Sequence, residues 1–210
     1  MSSTKHRQHW TYVLLAIVGG LSFYYLYRAI VFRYFTPAQQ GPDFVRNQWW
    51  YYSHLLFALP VIFGAPLQFI DRLRESAPRI HRTIGRAYVF GACIAALTAI
   101  YLGGTGQYEG SRLSIVITGL MWLFFTLAAW RLAIAKNFVG HRQFMIRSYA
   151  MALVLVWLRL MYDLQDYLFF YVQDKDVRDA TREWASWVVP LLVVELWISW
   201  FPQRRARPKS

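Results

Sequence analysis

Two short stretches of the chain carry the same reactive side chains in nearly the same order. His81-Arg82-Thr83-Ile84-Gly85-Arg86-Ala87-Tyr88 sets a histidine, two arginines and a tyrosine together, and His141 to Tyr149, reading HRQFMIRSY, does so again. Aligned, they are His-Arg-x3-Arg-x-Tyr and His-Arg-x4-Arg-x-Tyr, an internal echo with one residue inserted. Imidazole titrates near neutrality and is a common metal ligand. Guanidinium grips carboxylate or phosphate through paired N–H donors. Two chemistries follow. In one, His81 and His141 ligate a haem iron, Arg82, Arg86, Arg142 and Arg147 receive its carboxylates, and Tyr88 and Tyr149 orient the ligands. In the other, the same groups form a site for an anion, a lipid headgroup or a small solute at two helix N-termini. The plain alternative is that arginines at span ends bias insertion and snorkel to headgroups.

Each motif opens a long apolar segment. Of the 210 residues, 57% are hydrophobic and 16% charged, against roughly 25% charged in a soluble domain. Ala87 to Tyr108 and Leu113 to Trp130 contain no charged residue, and Trp49 to Ile70 has only His54 as an ionisable group of that kind. A bilayer core takes about 20 apolar helical residues. The pattern predicts an all-α, polytopic transmembrane bundle, a single domain over residues 1–210, with about six spans at 10–32, 49–70, 84–104, 113–133, 144–168 and 184–201. The first is read as a retained anchor, because its apolar run exceeds a usual signal-peptide core and lacks a small-x-small cleavage site.

Basic residues gather on one side: Lys5 and Arg7, the loop with Arg72, Arg74, Arg79 and Arg82, the loop with Lys136 and Arg142, and the tail RRARPKS. The positive-inside rule makes that side cytoplasmic, with both termini inside. The net charge of +12 then reflects insertion, and no nucleic-acid partner is expected. Trp10, Trp49, Trp50, Trp184, Trp187 and Trp200 fall near span ends, as interfacial aromatics do. A single cysteine, Cys93, excludes an intramolecular disulfide and any CxxC motif, and neither GxSxG nor HExxH occurs.

Ionisable residues within spans are costly and normally face partners or water. His54 falls in the outer part of the second span. Arg159 and Asp163 stand four apart near the outer end of the fifth, followed by Asp166, and Glu195 interrupts the sixth. Arg159 with Asp163 is expected as a helical i,i+4 pair, with His54 at comparable depth. Arg86 or Arg147 is within reach of Glu195. His54, Arg159, Asp163 and Glu195 thus read as buried charge pairs or a proton relay. Pro60, Gly64 and Pro66 should kink the second span and open space beside it.

HRTIGRAYV and HRQFMIRSYAMAL resemble the bacterial predicted membrane proteins grouped as DUF2306, a likeness running from about Trp49 to Tyr167. The resemblance implies a small multi-span inner-membrane protein. A looser similarity is to helical b-type membrane cytochromes, which hold haem between histidines on neighbouring helices. Those ligands lie within the spans, whereas His81 and His141 sit at the mouths. Two functional expectations result. The first is a multi-pass protein of the bacterial inner membrane, a redox component holding haem b between His81 and His141, the histidines expected at equal depth. It exchanges electrons with a membrane redox partner or a quinone. The second is a non-redox membrane protein, transporter-like or structural, that binds an anion, lipid headgroup or small solute.

Overall fold

The computed structural model describes the backbone of residues 2–36, 41–106 and 109–200, and within these the side chains from 13 onward except 14 and 32–34. The side chains of Lys5, Arg7 and Trp10 and the tail RRARPKS lie outside the described residues. Every regular element described is helical: α1 (Ser2–Tyr34), α2 (Pro42–Arg46), α3 (Gln48–Gln68), α4 (Asp71–Ser76), α5 (Pro78–Thr105), α6 (Glu109–Ile134), α7 (Phe138–Ala152), α8 (Val154–Asp163), α9 (Gln165–Leu168) and α10 (Lys175–Trp200). Local signals account for several starts. Pro78 opens α5, where its missing N–H costs nothing. Asn137 caps α7, its side-chain oxygen accepting the Gly140 N–H at 3.0 Å.

Among the described residues, α3, α5 and α6 are long and apolar enough to cross a membrane, and α7 with α8 makes a fourth span bent by 44°. α1 carries a shorter apolar stretch, Leu15–Val31, and α10 begins well before the expected span at 184. By length and composition alone the described residues supply three or four spans, and the expected count of six is not confirmed. The sharp bend also falls elsewhere than expected. α3 runs unbroken through Pro60 and Pro66, while the fifth segment breaks at Leu153, where the sequence has neither proline nor glycine. There the chain leaves α6 and α3, against which α7 packs, and α8 leans on α1 and α10.

Four of these helices close a ring. α5 packs against α3 and α6, and α7 packs against α6 and α3, so α5 and α7 occupy opposite corners. α10 lies outside along α6, α7 and α8, and α1 lies against α8 and α3. Many of the buried positions on α3, α5 and α6 are small, and many of the large apolar ones are exposed. Ala58, Ala65, Ala92, Ala95, Ala96, Ala129 and Thr126 are buried, whereas Phe63, Phe90, Leu97, Leu120, Phe124 and Leu127 are exposed. Only 22%, 39% and 33% of the most apolar stretches of α3, α5 and α6 are buried inside the protein. The large apolar side chains that remain face outward, where lipid replaces water. This is an integral membrane protein built as a helical bundle.

Small residues set how closely the helices approach. A Cβ at Gly91 of α5 would stand 3.0 Å from the Phe57 carbonyl oxygen of α3, one at Gly103 would stand 2.6 Å from Cγ2 of Ile115 on α6, and one at Gly119 of α6 would stand 2.6 Å from Cγ1 of Ile100 on α5. Gly104, next to Gly103, has nothing within 4 Å. Alanine is about 1 kcal/mol better than glycine in a helix interior, so Gly104→Ala should leave thermal stability in detergent unchanged or slightly raised. Gly103→Ala should lower it by about 1–3 kcal/mol through overpacking against Ile115. Equal shifts for the two variants would show that α5 and α6 are not in this close register.

Candidate functional site

The N-termini of α5 and α7 meet the C-termini of α3 and α6 and the short α4 at one end of the ring, called here the basic end. His81 is the fourth residue of α5 and His141 the fourth of α7. Their backbone N–H groups close the first helical turn on Ala77 (3.1 Å) and Asn137 (2.9 Å). The two imidazoles lie close enough that the charge of His141 bears on His81, as do those of Arg74 and Arg82. His141 Nδ1 lies 2.9 Å from the Ala129 carbonyl oxygen of α6. A carbonyl only accepts, so Nδ1 carries a proton, and in the neutral ring the Nε2 lone pair is left for a ligand. His81 differs: its Nδ1 is buried with no hydrogen-bond partner. The same is true of the Gln68 amide nitrogen at the end of α3, whose side-chain oxygen packs against Gly85, one turn inside His81.

Deeper in, the two motifs are joined. Tyr88 Oη and Ser148 Oγ are 2.8 Å apart, and Ser148 Oγ is 2.8 Å from Thr126 Oγ1 of α6. Thr126 donates to the Trp122 carbonyl at 2.8 Å. Each hydroxyl has one proton, so the direction of the whole chain follows. Thr126 has spent its proton, Ser148 must donate to Thr126, and Tyr88 must donate to Ser148. The partner of Tyr88 is therefore Ser148, not Tyr149. The inserted residue that aligned the tyrosines in the sequence misaligns them in space, because His81 to Tyr88 and His141 to Ser148 are each seven apart, two helical turns. Tyr149 faces α3 instead, its hydroxyl 3.4 Å from the Ile62 carbonyl and its ring 5.8 Å from Phe69.

The arginines divide. Arg82, Arg86 and Arg142 are exposed at the basic end. Arg147 is taken by Glu195 of α10 through two bonds, Nε to Oε1 at 2.5 Å and a second at 2.8 Å, and lies over the Phe144 ring at 5.0 Å. Glu195 thus pairs with Arg147 of the two arginines within its reach, and Arg147 leaves the mouth. At the far end Asp163 bonds Arg28 of α1 at 2.7 Å, a partner that spacing along one helix cannot name because it lies on another. His54 does not reach out to that pair; its Nδ1 bonds the Ala95 carbonyl (2.9 Å) and Thr98 Oγ1 (3.2 Å), stapling α3 to α5. Sequence reasoning also missed a cluster at the start of α10. Arg182 is buried, bonded to Gln165 and Asp179 and stacked 4.7 Å over Tyr162. Burial pushes the neighbouring Glu183 carboxyl, which precedes the expected sixth span, up to about 7 against the opposing charges of Arg182 and Arg159.

Fold and motifs together define a multi-pass membrane bundle with a histidine-bearing basic end. The chain belongs to the family described as "Predicted membrane protein (DUF2306)", whose model matches residues 51–198. The match extends past Tyr167 to take in α10. It is also similar to the "Ava biosynthesis cluster protein G" of Aspergillus versicolor, 36% identical over 77 residues, which are 35% of this chain and 22% of that protein. The chain thus spans about a fifth of the length of this curated relative. No solved structure matches.

The Arg147–Glu195 pair can be tested by a mutant cycle. The Arg147 side chain is 14% exposed and that of Glu195 41%, so Glu195→Leu strands a largely buried guanidinium and should cost about 1–3 kcal/mol in detergent unfolding. Replacing both with leucine should cost less than Glu195→Leu alone. Additive losses would mean that the two side chains are solvated independently.

Proposed function

We propose that this protein is a redox component of the bacterial inner membrane that holds a b-type haem at its basic end, with His81 and His141 as axial ligands. The observation that carries the reading is the convergence of two histidines from opposite corners of one helical ring. Two imidazoles would hold a haem iron, which would supply one-electron chemistry, whereas a bare ion needs more ligands. The donor set suits the group. His141 has its Nδ1–H engaged on Ala129 and its Nε2 lone pair available, and His81 carries an orphaned buried nitrogen that calls for a partner. Arg82, Arg86 and Arg142 would receive the propionates, and the bound group would supply one-electron transfer to a membrane partner or quinone. Tyr88 and Ser148 would bound the site on its inner side. Their hydroxyl chain ends on a carbonyl, which takes no proton, so its role is to hold helices rather than to relay.

Protein purified gently after expression with ample haem should show a b-type spectrum, reduced minus oxidised. His81→Ala and His141→Ala should abolish it, Arg82→Ala and Arg142→Ala should weaken haem retention, and His54→Ala should leave it intact. A folded, colourless protein that takes up no added haem would sink this reading. The exposed arginines and the Gln68 amide without an acceptor favour the second one, a non-redox protein that binds an anion, lipid headgroup or small solute.

The reading further places the basic end in the cytoplasm, with α1 and α10 completing six crossings and both termini inside. Reporter fusions after Arg74, Tyr108, Lys136 and Lys175 should alternate in, out, in, out. Two successive fusions reporting one side would remove that topology.

A further inference from the structure

Two buried nitrogens at the basic end lack a partner, the His81 Nδ1 and the Gln68 Nε2. They belong to facing helices. Gln68 closes α3, and its amide oxygen would stand 3.3 Å from a Cβ at Gly85. Gly85 is one turn inside His81 on the same side of α5, so the glycine admits the Gln68 side chain to the strip of α5 that carries the histidine. Buried polar atoms are seldom left unpaired, since each costs about 1–3 kcal/mol. A primary amide and an imidazole are complementary: one offers a carbonyl, the other an N–H, and this bond meets the need of His81 Nδ1 while Gln68 Nε2 still wants an acceptor. His141 has solved the same problem with the Ala129 carbonyl. No backbone carbonyl does this for His81.

We propose that Gln68 is the positioning residue of His81, its side-chain carbonyl accepting the Nδ1–H and leaving Nε2 directed into the mouth. Gln68 then does for α5 what Ala129 does for α7, and both histidines present the same nitrogen. Gly85 is part of the device, because a Cβ there would stand 3.3 Å from the Gln68 amide oxygen and make it shift by a few tenths of an ångström. The consequence for a metal-bound imidazole is electronic as well as geometric: a ligand whose far N–H is held by an acceptor is the stronger donor to the metal. This rests on the haem reading only for that last consequence, since the hydrogen bond itself needs no cofactor.

The test uses full-length protein labelled with nitrogen-15 at histidine, with His81→Ala to assign the His81 signals and His141 as the internal standard. In wild type, both rings should read as protonated and hydrogen-bonded at Nδ1. Gln68→Leu should move the His81 Nδ1 signal and leave His141 unchanged, and Gln68→Glu should restore the bond with a stronger acceptor. Where haem is bound, the reduction potential should move in opposite directions, up for Gln68→Leu and down for Gln68→Glu, with the b-type spectrum retained in both. A colourless wild type removes the haem reading, and the nitrogen signals still decide the hydrogen bond. His81 signals indifferent to both Gln68 variants would overturn the proposal. So would signals that answer to added inorganic phosphate and not to Gln68, which would give the two orphaned nitrogens to an anion. If Gln68→Leu does not fold, the Gln68→Glu comparison carries the same decision.

Discussion

Helices in lipid gain nothing from hiding leucine from one another, because the surrounding tails are equally apolar, so packing must come from close approach. Here that approach is made at Gly91, Gly103 and Gly119, where α5 presses on α3 and α6 with no room for a methyl group. The rest of the arrangement depends on it. With α5 held between α3 and α6, and α7 closing the ring against the same two helices, α5 and α7 are set at opposite corners. Their inward faces then look at one another across the bundle. Small residues line the closest helix contacts, with Tyr88, Trp122, Phe125 and Tyr149 among the larger side chains buried beside them.

Within that ring the polar atoms sort by whether their protons are spent. The hydroxyls of Tyr88, Ser148 and Thr126 form a directed series ending at the Trp122 carbonyl. It links α5, α6 and α7 at a depth where an unmet donor would be costly. Nothing in it is left over for chemistry. His54 is likewise absorbed, its Nδ1–H given to a backbone carbonyl of α5. Trp122 Nε1, at mid-bundle, is left without a partner. The orphaned nitrogens of His81 and Gln68 differ in lying together at the end where two histidines meet.

The helical class, the membrane setting and most helix positions were legible in composition, because blocks of about 20 residues without charge have few other uses. The break at Leu153 was not legible: it follows from α8 leaning on α1 and α10, which no local signal records. The outer charges were legible only in part. Four-residue spacing suggests Arg159 for Asp163, and the structure gives that carboxylate Arg28 as a partner, from a helix far away in sequence. Glu195 and Arg147 could be matched in advance by depth, though not distinguished from Arg86. Arg182 and Glu183 were overlooked because a short charged run before a span looks solvated until α8 and α9 are folded over it.

In the echo between the two motifs the histidines hold equivalent helix positions and the tyrosines do not, and helical phase explains both. Successive residues of an α-helix are turned by about 100°. The residue after each histidine therefore points away from the face that the histidine shares with positions four and seven further on. On α5 that face runs His81, Gly85, Tyr88; on α7 it runs His141, Met145, Ser148, with Tyr88, Met145 and Ser148 all buried. Arg82 and Arg142 are turned outward and exposed. The His-Arg pair thus divides its labour by geometry alone. Its cation is turned to the outside of the bundle and its imidazole toward the neighbouring helices.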